Sequence, residues 1–368
     1  MANNTTSLNI TTVGRRASPC AFRIFTNTEN WIQVSSFFFI IFFSIIGNTI
    51  VITIIKKNKR MHIPTNFFIV NLCVVNLVIV LLNTIPDIQG RIAPTLGFAV
   101  SGWPGTILCK LQAFFSSCTI NAAILTLAFI AADRFIAIYF PLKRVINSRK
   151  AIGLIVAAWL VPALPASIFL YVNKLVQFRG ITYCVEMWLP AIPMYINTIY
   201  TTADFVVFYA LPLLEIILFY VAIIYKVWMR KIPGQVTTAN QQLELKAKQN
   251  VLKMLVLAAL TFALFWLPTK VNIMISIYSS ARCLQNPTSH FLSLFFASIN
   301  CAVNPLIYLT FSRDFRKSFK AIFHCLPCFT GDEPPRANSS RSMEVTEMSH
   351  SGRHSGLSLR SFKRIETS

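Results

Sequence analysis

The sequence predicts an all-α membrane protein, a seven-transmembrane helix bundle followed by a short amphipathic eighth helix. Hydrophobic residues make up 55% of the 368 residues and charged residues only 13%, whereas an average soluble domain is about 25% charged. Several apolar runs exceed the roughly 18 residues that distinguish a membrane-spanning helix from a buried core helix. Lys and Arg occur in short clusters between these runs, as is typical of loops that flank membrane spans.

Seven apolar segments are long enough to cross a bilayer and together predict a bundle over residues 31–310. We expect spans one to seven near 31–55, 65–89, 106–134, 151–171, 197–228, 248–278 and 288–310. Each is predicted to be helical, because only helices and closed barrels satisfy their backbone hydrogen bonds in lipid. An odd number of crossings places the two chain ends on opposite sides of the membrane.

The basic clusters predict the orientation. They follow spans one and three and lie between spans five and six, and the positive-inside rule makes these loops cytoplasmic. The cluster residues are Lys56, Lys57, Lys59, Arg60, Lys143, Arg144, Arg149, Lys150, Lys226, Arg230, Lys231, Lys246 and Lys248. Residues 1–30 are therefore expected to form an extracellular arm. This agrees with its three candidate glycosylation sites, which begin at Asn3, Asn4 and Asn9.

The chain after span seven divides into two predicted regions. Residues 311–328 form a basic amphipathic helix on the inner leaflet, because Phe and Ile recur at helical spacing opposite Arg and Lys. Cys325 and Cys328 in this region are candidate palmitoylation sites. Residues 329–368 are rich in Ser, Arg, Gly and Pro and are expected to form a disordered cytoplasmic tail.

The sequence disfavours a nucleic-acid binder and an enzyme. The formal net charge is +21, but the basic residues form no continuous patch, so no nucleic-acid partner is expected. The sequence has no Gly-rich phosphate loop, no metal-ligand cluster and no nucleophile–base arrangement, and its five histidines are scattered on both sides of the membrane. We expect no catalytic activity, no cofactor and no metal site.

Four of the nine cysteines are predicted to be extracellular: Cys20, Cys109, Cys184 and Cys283. Four cysteines allow three pairings. Cys109 opens span three and Cys184 lies in the loop before span five, so a bridge between them would tie that loop over the bundle in an oxidising exterior. Cys20 and Cys283 would then pair by elimination.

Each span carries one polar, proline or aromatic motif. These are Asn48, Asn76 in "NLCVVN", Asp133-Arg134, Trp159, Pro212 with Tyr220, "FWLP" (265–268) and "NCAVNPLIY" (300–308). Strongly polar groups inside a bilayer are costly and usually face the bundle interior. In this order, and together with Cys109 and Cys184, the motifs resemble those of the rhodopsin-like G-protein-coupled receptors over about residues 30–325.

The resemblance implies an activation switch at the inner rim. In this family the Arg of an Asp-Arg-Tyr motif is held by its neighbouring Asp when inactive and released toward the G protein when active. Asp133 and Arg134 match this pair, and Phe135 replaces the usual Tyr. A guanidinium stays charged at the membrane edge, so its choice between partners can define two states. The other residues implied in activation are Tyr220, Phe262, Trp266, Pro268, Asn304, Pro305 and Tyr308.

One departure from the family pattern concerns its allosteric sodium site. The carboxylate of span two is replaced by Asn76, and the Ser of span three that usually assists it is replaced by Ala123. A neutral amide is a poor substitute for a carboxylate toward a hard cation. We therefore expect weak or absent modulation by sodium.

Two ligand classes of the family lack their key contact here. Ser298 stands where opsins need a Schiff-base lysine, and Ser116 stands where amine receptors need an Asp. The outer half of the bundle has mixed charge, which suits a peptide. The candidate ligand contacts are Asp87, Gln112, Ser116, Glu186, Asp204, Trp266, Lys270 and His290.

Asp204 and Lys270 allow two interpretations, because they either form a buried pair or separately bind the charged ends of a ligand. Trp103 and the aromatic outer loop at 172–196 resemble those of neuropeptide receptors.

The leading interpretation is a plasma-membrane receptor that binds an extracellular neuropeptide and activates heterotrimeric G proteins. Its Ser/Thr-rich tail implies arrestin and receptor kinases as further partners, in addition to the lipid bilayer. One alternative is a transporter or channel, against which the odd span count and the lack of internal repeats argue. Others are a non-signalling decoy receptor and a receptor for a non-peptide small molecule.

Overall fold

The computed structural model describes residues 25–92, 98, 100–142, 145–178, 180–229, 239–279 and 287–324, with side chains for all of these except 178, 228, 229, 239–248 and 322–324. Within this part of the chain, seven helices are long and apolar enough to cross a membrane. They are Asn27–Lys57, Pro64–Ile92, Gly102–Tyr139, Ser148–Ala166, Met194–Val227, Gln249–Tyr278 and Pro287–Phe311. The predicted seven-helix bundle is confirmed, and these helices are spans one to seven below.

Local sequence signals explain where several spans begin. Before span one, the backbone N–H of Glu29 donates to Thr26 Oγ1 at 3.2 Å and the Thr26 N–H donates to Glu29 Oε2 at 2.9 Å, which is a capping box. Pro64 occupies the first turn of span two, where its missing N–H costs nothing. Asn147 Oδ1 accepts from the Lys150 N–H at 2.9 Å and caps span four.

Span three is longer at its inner end than the sequence predicts. The prediction ends this span at Arg134, where the apolar run meets charge, but the helix continues to Tyr139. The segment between contains no helix-breaking residue, and Pro141 disfavours helical backbone at the residue before it. The Asp133-Arg134 pair therefore lies inside a continuous helix rather than at its end.

Spans two and five each contain a π-helical turn, at Val80–Thr84 and Val206–Ala210. Just beyond the first turn, Pro86 has no N–H to offer to the carbonyl four residues earlier, that of Leu82. The side-chain Nε2 of Gln112 in span three donates to this carbonyl at 3.0 Å. The irregular turn is thus fixed to the neighbouring span by a side-chain hydrogen bond.

A β-hairpin lies between spans four and five. Its strands, β1 (Asn173–Phe178) and β2 (Ile181–Glu186), pair in antiparallel register. Cys184 of β2 forms a disulfide with Cys109 at the outer end of span three, with 5.6 Å between the two Cα atoms. The predicted bridge is confirmed, and it anchors the hairpin to the bundle.

Spans one and seven approach closely at Gly47. A Cβ atom at this position would lie 2.9 Å from Cβ of Pro305, so only glycine fits without a shift of one helix. The next residue, Asn48, is completely buried at this contact. Its side chain forms the polar link between the spans that is described below.

A further helix, Arg313–His324, follows span seven, within the region predicted to form an amphipathic helix. Phe315 is buried, and its ring stacks on that of Tyr308 with 6.1 Å between centroids. The chain divides into two units, Met1–Phe323 and His324–Ser368. Of the second unit, the structure describes His324 alone. The position of this helix on the inner leaflet stays a prediction.

Candidate functional site

A cavity of about 120 Å³ lies in the outer half of the bundle between spans one, two, three, six and seven. Trp266 forms part of its lining, together with Thr84, Asp87 and Ser298. The hydroxyl oxygens of Thr84 and Ser298 are 3.1 Å apart, which links spans two and seven at the cavity wall. Below, the ring centroids of Trp266 and Phe262 are 5.9 Å apart. Trp266 therefore lies against the cavity, and Phe262 packs on it from the inner side.

Asp87, a predicted ligand contact, is already paired. Arg91 Nε donates to Asp87 Oδ2 at 2.7 Å, and the same guanidinium donates to the side chain of Gln33 in span one. The guanidinium carbon also lies 5.8 Å from the ring centroid of Phe37 and 5.1 Å from that of Phe291. This arrangement connects the outer ends of spans one, two and seven.

Glu186, a second predicted ligand contact, accepts a hydrogen bond from Trp188 Nε1 at 2.5 Å. Trp188 is buried, and its ring centroid lies 5.8 Å from that of Tyr200 in span five. Tyr200 in turn donates to the carbonyl of Pro165 in span four at 3.2 Å. Glu186 therefore positions the end of β2 against spans four and five.

Asp204 and Lys270 form the internal pair that was one of the two sequence interpretations. Lys270 Nζ donates to Asp204 Oδ2 at 3.1 Å, and Asn121 Nδ2 of span three donates to Asp204 Oδ1 at 2.7 Å. Both carboxylate oxygens thus have a donor from another span. Among the described residues no side-chain hydrogen bond is found for the two remaining predicted contacts, half-buried Ser116 and exposed His290.

At the inner end, Asp133 and Arg134 form the pair that the resemblance implies. Arg134 donates from its Nη2 and Nε to Asp133 Oδ2 at 2.6 Å and 3.1 Å. Thr65 of span two donates to the same oxygen at 2.7 Å and also contacts the guanidinium. Sequence reasoning missed Thr65, because its closeness to Asp133 depends on how the two spans are rotated.

Phe135 forms the centre of an aromatic stack between spans three and five. Its ring centroid lies 4.4 Å from that of Tyr139 and 4.7 Å from that of Phe219. Tyr139 donates its hydroxyl to the carbonyl of Ala222 at 2.9 Å, and Lys226 Nζ lies 4.0 Å from the Tyr139 ring centroid. Phe135, which replaces the Tyr of the family's Asp-Arg-Tyr motif, therefore packs against span five.

A buried amide network links spans one, two and seven in the middle of the bundle. Asn48 Nδ2 donates to the carbonyls of Ser44 and Cys301 at 2.8 Å and 2.9 Å. Its Oδ1 accepts from Asn76 Nδ2 at 3.1 Å. Four buried polar atoms have no partner among the described residues: Trp266 Nε1, Asn300 Oδ1, Asn304 Oδ1 and Tyr308 Oη. Three of these atoms belong to residues implied in activation.

The network leads to a prediction about sodium. The Asn76 amide nitrogen points a donor at Asn48, whereas a hard cation needs oxygen ligands. A site occupied at about ten times its dissociation constant would add roughly 1.4 kcal/mol of stability, or a melting shift of about 3 °C. We expect no such shift when sodium chloride replaces choline chloride around the detergent-solubilised protein.

The matched control introduces the missing oxygens as the double variant Asn76→Asp with Ala123→Ser, which is expected to melt higher in sodium than in choline. A sodium-dependent rise in the unmodified protein that disappears in Asn76→Ala would contradict the prediction.

Several sequence predictions concern residues outside the described ranges. They are the glycosylation sites Asn3, Asn4 and Asn9, the cysteine pair Cys20 and Cys283, the palmitoylation sites Cys325 and Cys328, and the tail 329–368. All of these stay predictions.

Comparison with known families identifies the class of protein. The sequence profile described as "7 transmembrane receptor (rhodopsin family)" matches residues 47–308, well over half of the chain. The chain therefore belongs to the rhodopsin family of seven-transmembrane receptors and is a multi-pass membrane protein. Because the members of this family are receptors, the prediction that the chain is not an enzyme is confirmed, and the transporter or channel alternative loses its support.

Individual relatives show which receptors of this family the chain resembles. Neuropeptide FF receptor 2 of Rattus norvegicus is 30% identical over 345 residues, which cover 87% of this chain and 78% of that protein. Neuropeptide FF receptor 1 of Homo sapiens is 29% identical and covers 82% and 71% of the two chains. The QRFP-like peptide receptor of Branchiostoma floridae is 28% identical and covers 79% and 78%. The predicted resemblance to neuropeptide receptors is confirmed.

Proposed function

We propose that this receptor binds an extracellular neuropeptide and activates heterotrimeric G proteins from the plasma membrane, with its N-terminus outside and its C-terminus in the cytoplasm. The observation that carries the proposal is the position of Trp266, which lines the outer cavity and packs on Phe262 in the same helix. A ligand that enters the cavity would press on span six, whose inner part borders an apolar crevice. The peptide names of the relatives support the ligand class.

The inner end of span six borders an apolar crevice of about 570 Å³. Residues from spans five and six and Phe311 at the end of span seven line it, including Ile224, Leu252 and Val256. A groove of this kind suits the apolar face of an amphipathic helix. A helix of the G protein is the partner that we propose for it.

The Arg134 pairing supplies the switch in this proposal. Arg134 is held by Asp133 and by Thr65, and a charged guanidinium can leave these partners only if another polar group accepts it. Activation would exchange the span-two and span-three partners for groups of the G protein and for polar atoms such as Tyr308 Oη.

We further propose that the tail recruits arrestin and receptor kinases and that the helix Arg313–His324 rests on the inner leaflet.

The test is a screen of neuropeptides, including neuropeptide FF, on cells that express the chain with a promiscuous G protein. Arg134→Ala serves as the control, because it keeps the outer cavity but removes the charged contact. Hydrogen bonds to charged groups contribute about 1.5–3 kcal/mol, so we expect the peptide response to fall at least about tenfold at equal surface expression. Equal responses from both proteins, or no response to any peptide, would contradict the proposal.

A further inference from the structure

Within the part of the chain that the structure describes, three polar side-chain contacts join the outer halves of spans five and six, and the Asp204–Lys270 pair is one of them. Toward the outside, the hydroxyls of Thr202 and Tyr278 are 2.7 Å apart. Toward the inside, Tyr209 donates its hydroxyl to the carbonyl of Ala263 at 2.7 Å. The ion pair lies between these contacts and differs from them in being charged and in also engaging span three through Asn121.

The burial of the ion pair determines the free-energy cost of breaking it. Lys270 is 7% exposed and the side chain of Asp204 is 17% exposed, so the ammonium is buried and the carboxylate is largely shielded from water. Breaking a buried ion pair by removing one partner leaves an uncompensated charge and is strongly destabilising, whereas replacing both partners together is often tolerated. Any ligand group that took Lys270 from Asp204, or Asp204 from Lys270, would have to offset this penalty.

The position of the pair relates it to the ligand cavity. Lys270 follows Trp266 by four residues, so the two side chains lie on the same face of span six, one turn apart. Asp204 lies just before the π-helical turn Val206–Ala210. The pair therefore lies one helical turn further out than Trp266, beside the cavity rather than in its lining.

We propose that Asp204 and Lys270 are a permanent internal counter-ion pair that holds the outer halves of spans three, five and six together. In this proposal the ligand forms no ion pair with either residue. The charge of Asp87 is likewise paired within the protein, with Arg91, whereas Glu186 is exposed and accepts one hydrogen bond from a neutral indole. The part of the ligand that lies next to Asp87, Asp204 and Lys270 is therefore uncharged. The statement about the ligand rests on the proposed function, whereas the pairing does not.

The pairing is tested by a double-mutant cycle on melting temperature, measured on the full chain in detergent through a fluorescent fusion. Asp204→Asn and Lys270→Met each remove one charge and are expected to lower the melting temperature by on the order of 5–10 °C. The double variant Asp204→Asn with Lys270→Met is expected to lose no more than either single variant. Additive losses would overturn the proposal. A single variant that fails to accumulate while the double variant does also supports it, whereas failure of the double variant would overturn it.

The statement about the ligand is tested with any neuropeptide that activates the unmodified receptor. We expect the double variant to keep its potency within about tenfold, because one tenfold step corresponds to about 1.4 kcal/mol and a buried ligand ion pair would contribute more. A greater loss would overturn the proposal. If no peptide activates the receptor, the proposed function fails, while the melting cycle still decides the pairing.

Discussion

Cys184→Ser is expected to lower the stability of the receptor by about 2–5 kcal/mol, because it opens a loop in which the paired cysteines are 75 residues apart. The bridge fixes β2 to the outer end of span three, so its loss frees the hairpin from the bundle. The melting temperature in detergent and the amount of receptor at the cell surface should both fall.

The matched control is Cys118→Ala, which removes a buried free cysteine from the same span as Cys109 and keeps the bridge. A reductant should lower the melting temperature of the unmodified protein at least to that of Cys184→Ser. A further decrease of that variant in reductant would report a second bridge between Cys20 and Cys283. Equal melting temperatures for Cys184→Ser and the unmodified protein would contradict the expected contribution of the bridge.

Asn48→Ala is expected to destabilise the receptor by about 2–4 kcal/mol, since it leaves one buried polar group without a partner, at about 1–3 kcal/mol, and removes a further buried hydrogen bond worth about 1 kcal/mol. The group left without a partner is the Nδ2 of Asn76 in span two, and the carbonyl of Cys301 in span seven keeps only the 3.4 Å contact from Ser44 Oγ. The loss should appear as a lower melting temperature and as faster exchange of amide hydrogens where spans one and seven meet.

Thr53→Val is the control for this prediction. Thr53 also lies in span one, but its hydroxyl donates within the same helix, to the carbonyl of Thr49 at 2.8 Å. The substitution keeps the shape of the side chain and breaks no contact between spans, so a change of less than about 0.5 kcal/mol is expected. If the two variants melt at the same temperature, the amide contacts of Asn48 do not stabilise the bundle.

The fold could be predicted from the sequence because bilayer thickness and backbone hydrogen bonding leave few choices for long apolar runs. The Cys109–Cys184 bridge followed from compartment and position along the chain. The adjacency of Asp133 and Arg134 is a property of the sequence itself. What these signals share is that none depends on how one helix is rotated against another.

The partners of the site residues could not be predicted in the same way. The contact between Asn121 and Asp204, like that between Thr65 and Asp133, joins different spans, and periodicity along one helix does not fix the rotation of its neighbour. For Asp87 the sequence did hold a signal, because Arg91 lies four residues further on, at the spacing that favours an ion pair on one helix face. That spacing would have identified Asp87 as engaged within the protein.

The π-helical turn of span two sets the angular phase of the helix beyond it. A π-helical turn closes its hydrogen bonds over one more residue than an α-helical turn, so Val80–Thr84 takes up one residue without changing the direction in which the helix beyond it faces. Asp87 and Arg91 thus keep their charges toward Gln33 and the phenylalanine rings instead of toward hydrocarbon, where they would be costly. A one-residue insertion or deletion elsewhere between Asn76 and Arg91 would turn both side chains by about 100°, so a one-residue gap in an alignment of this segment belongs within the π-helical turn.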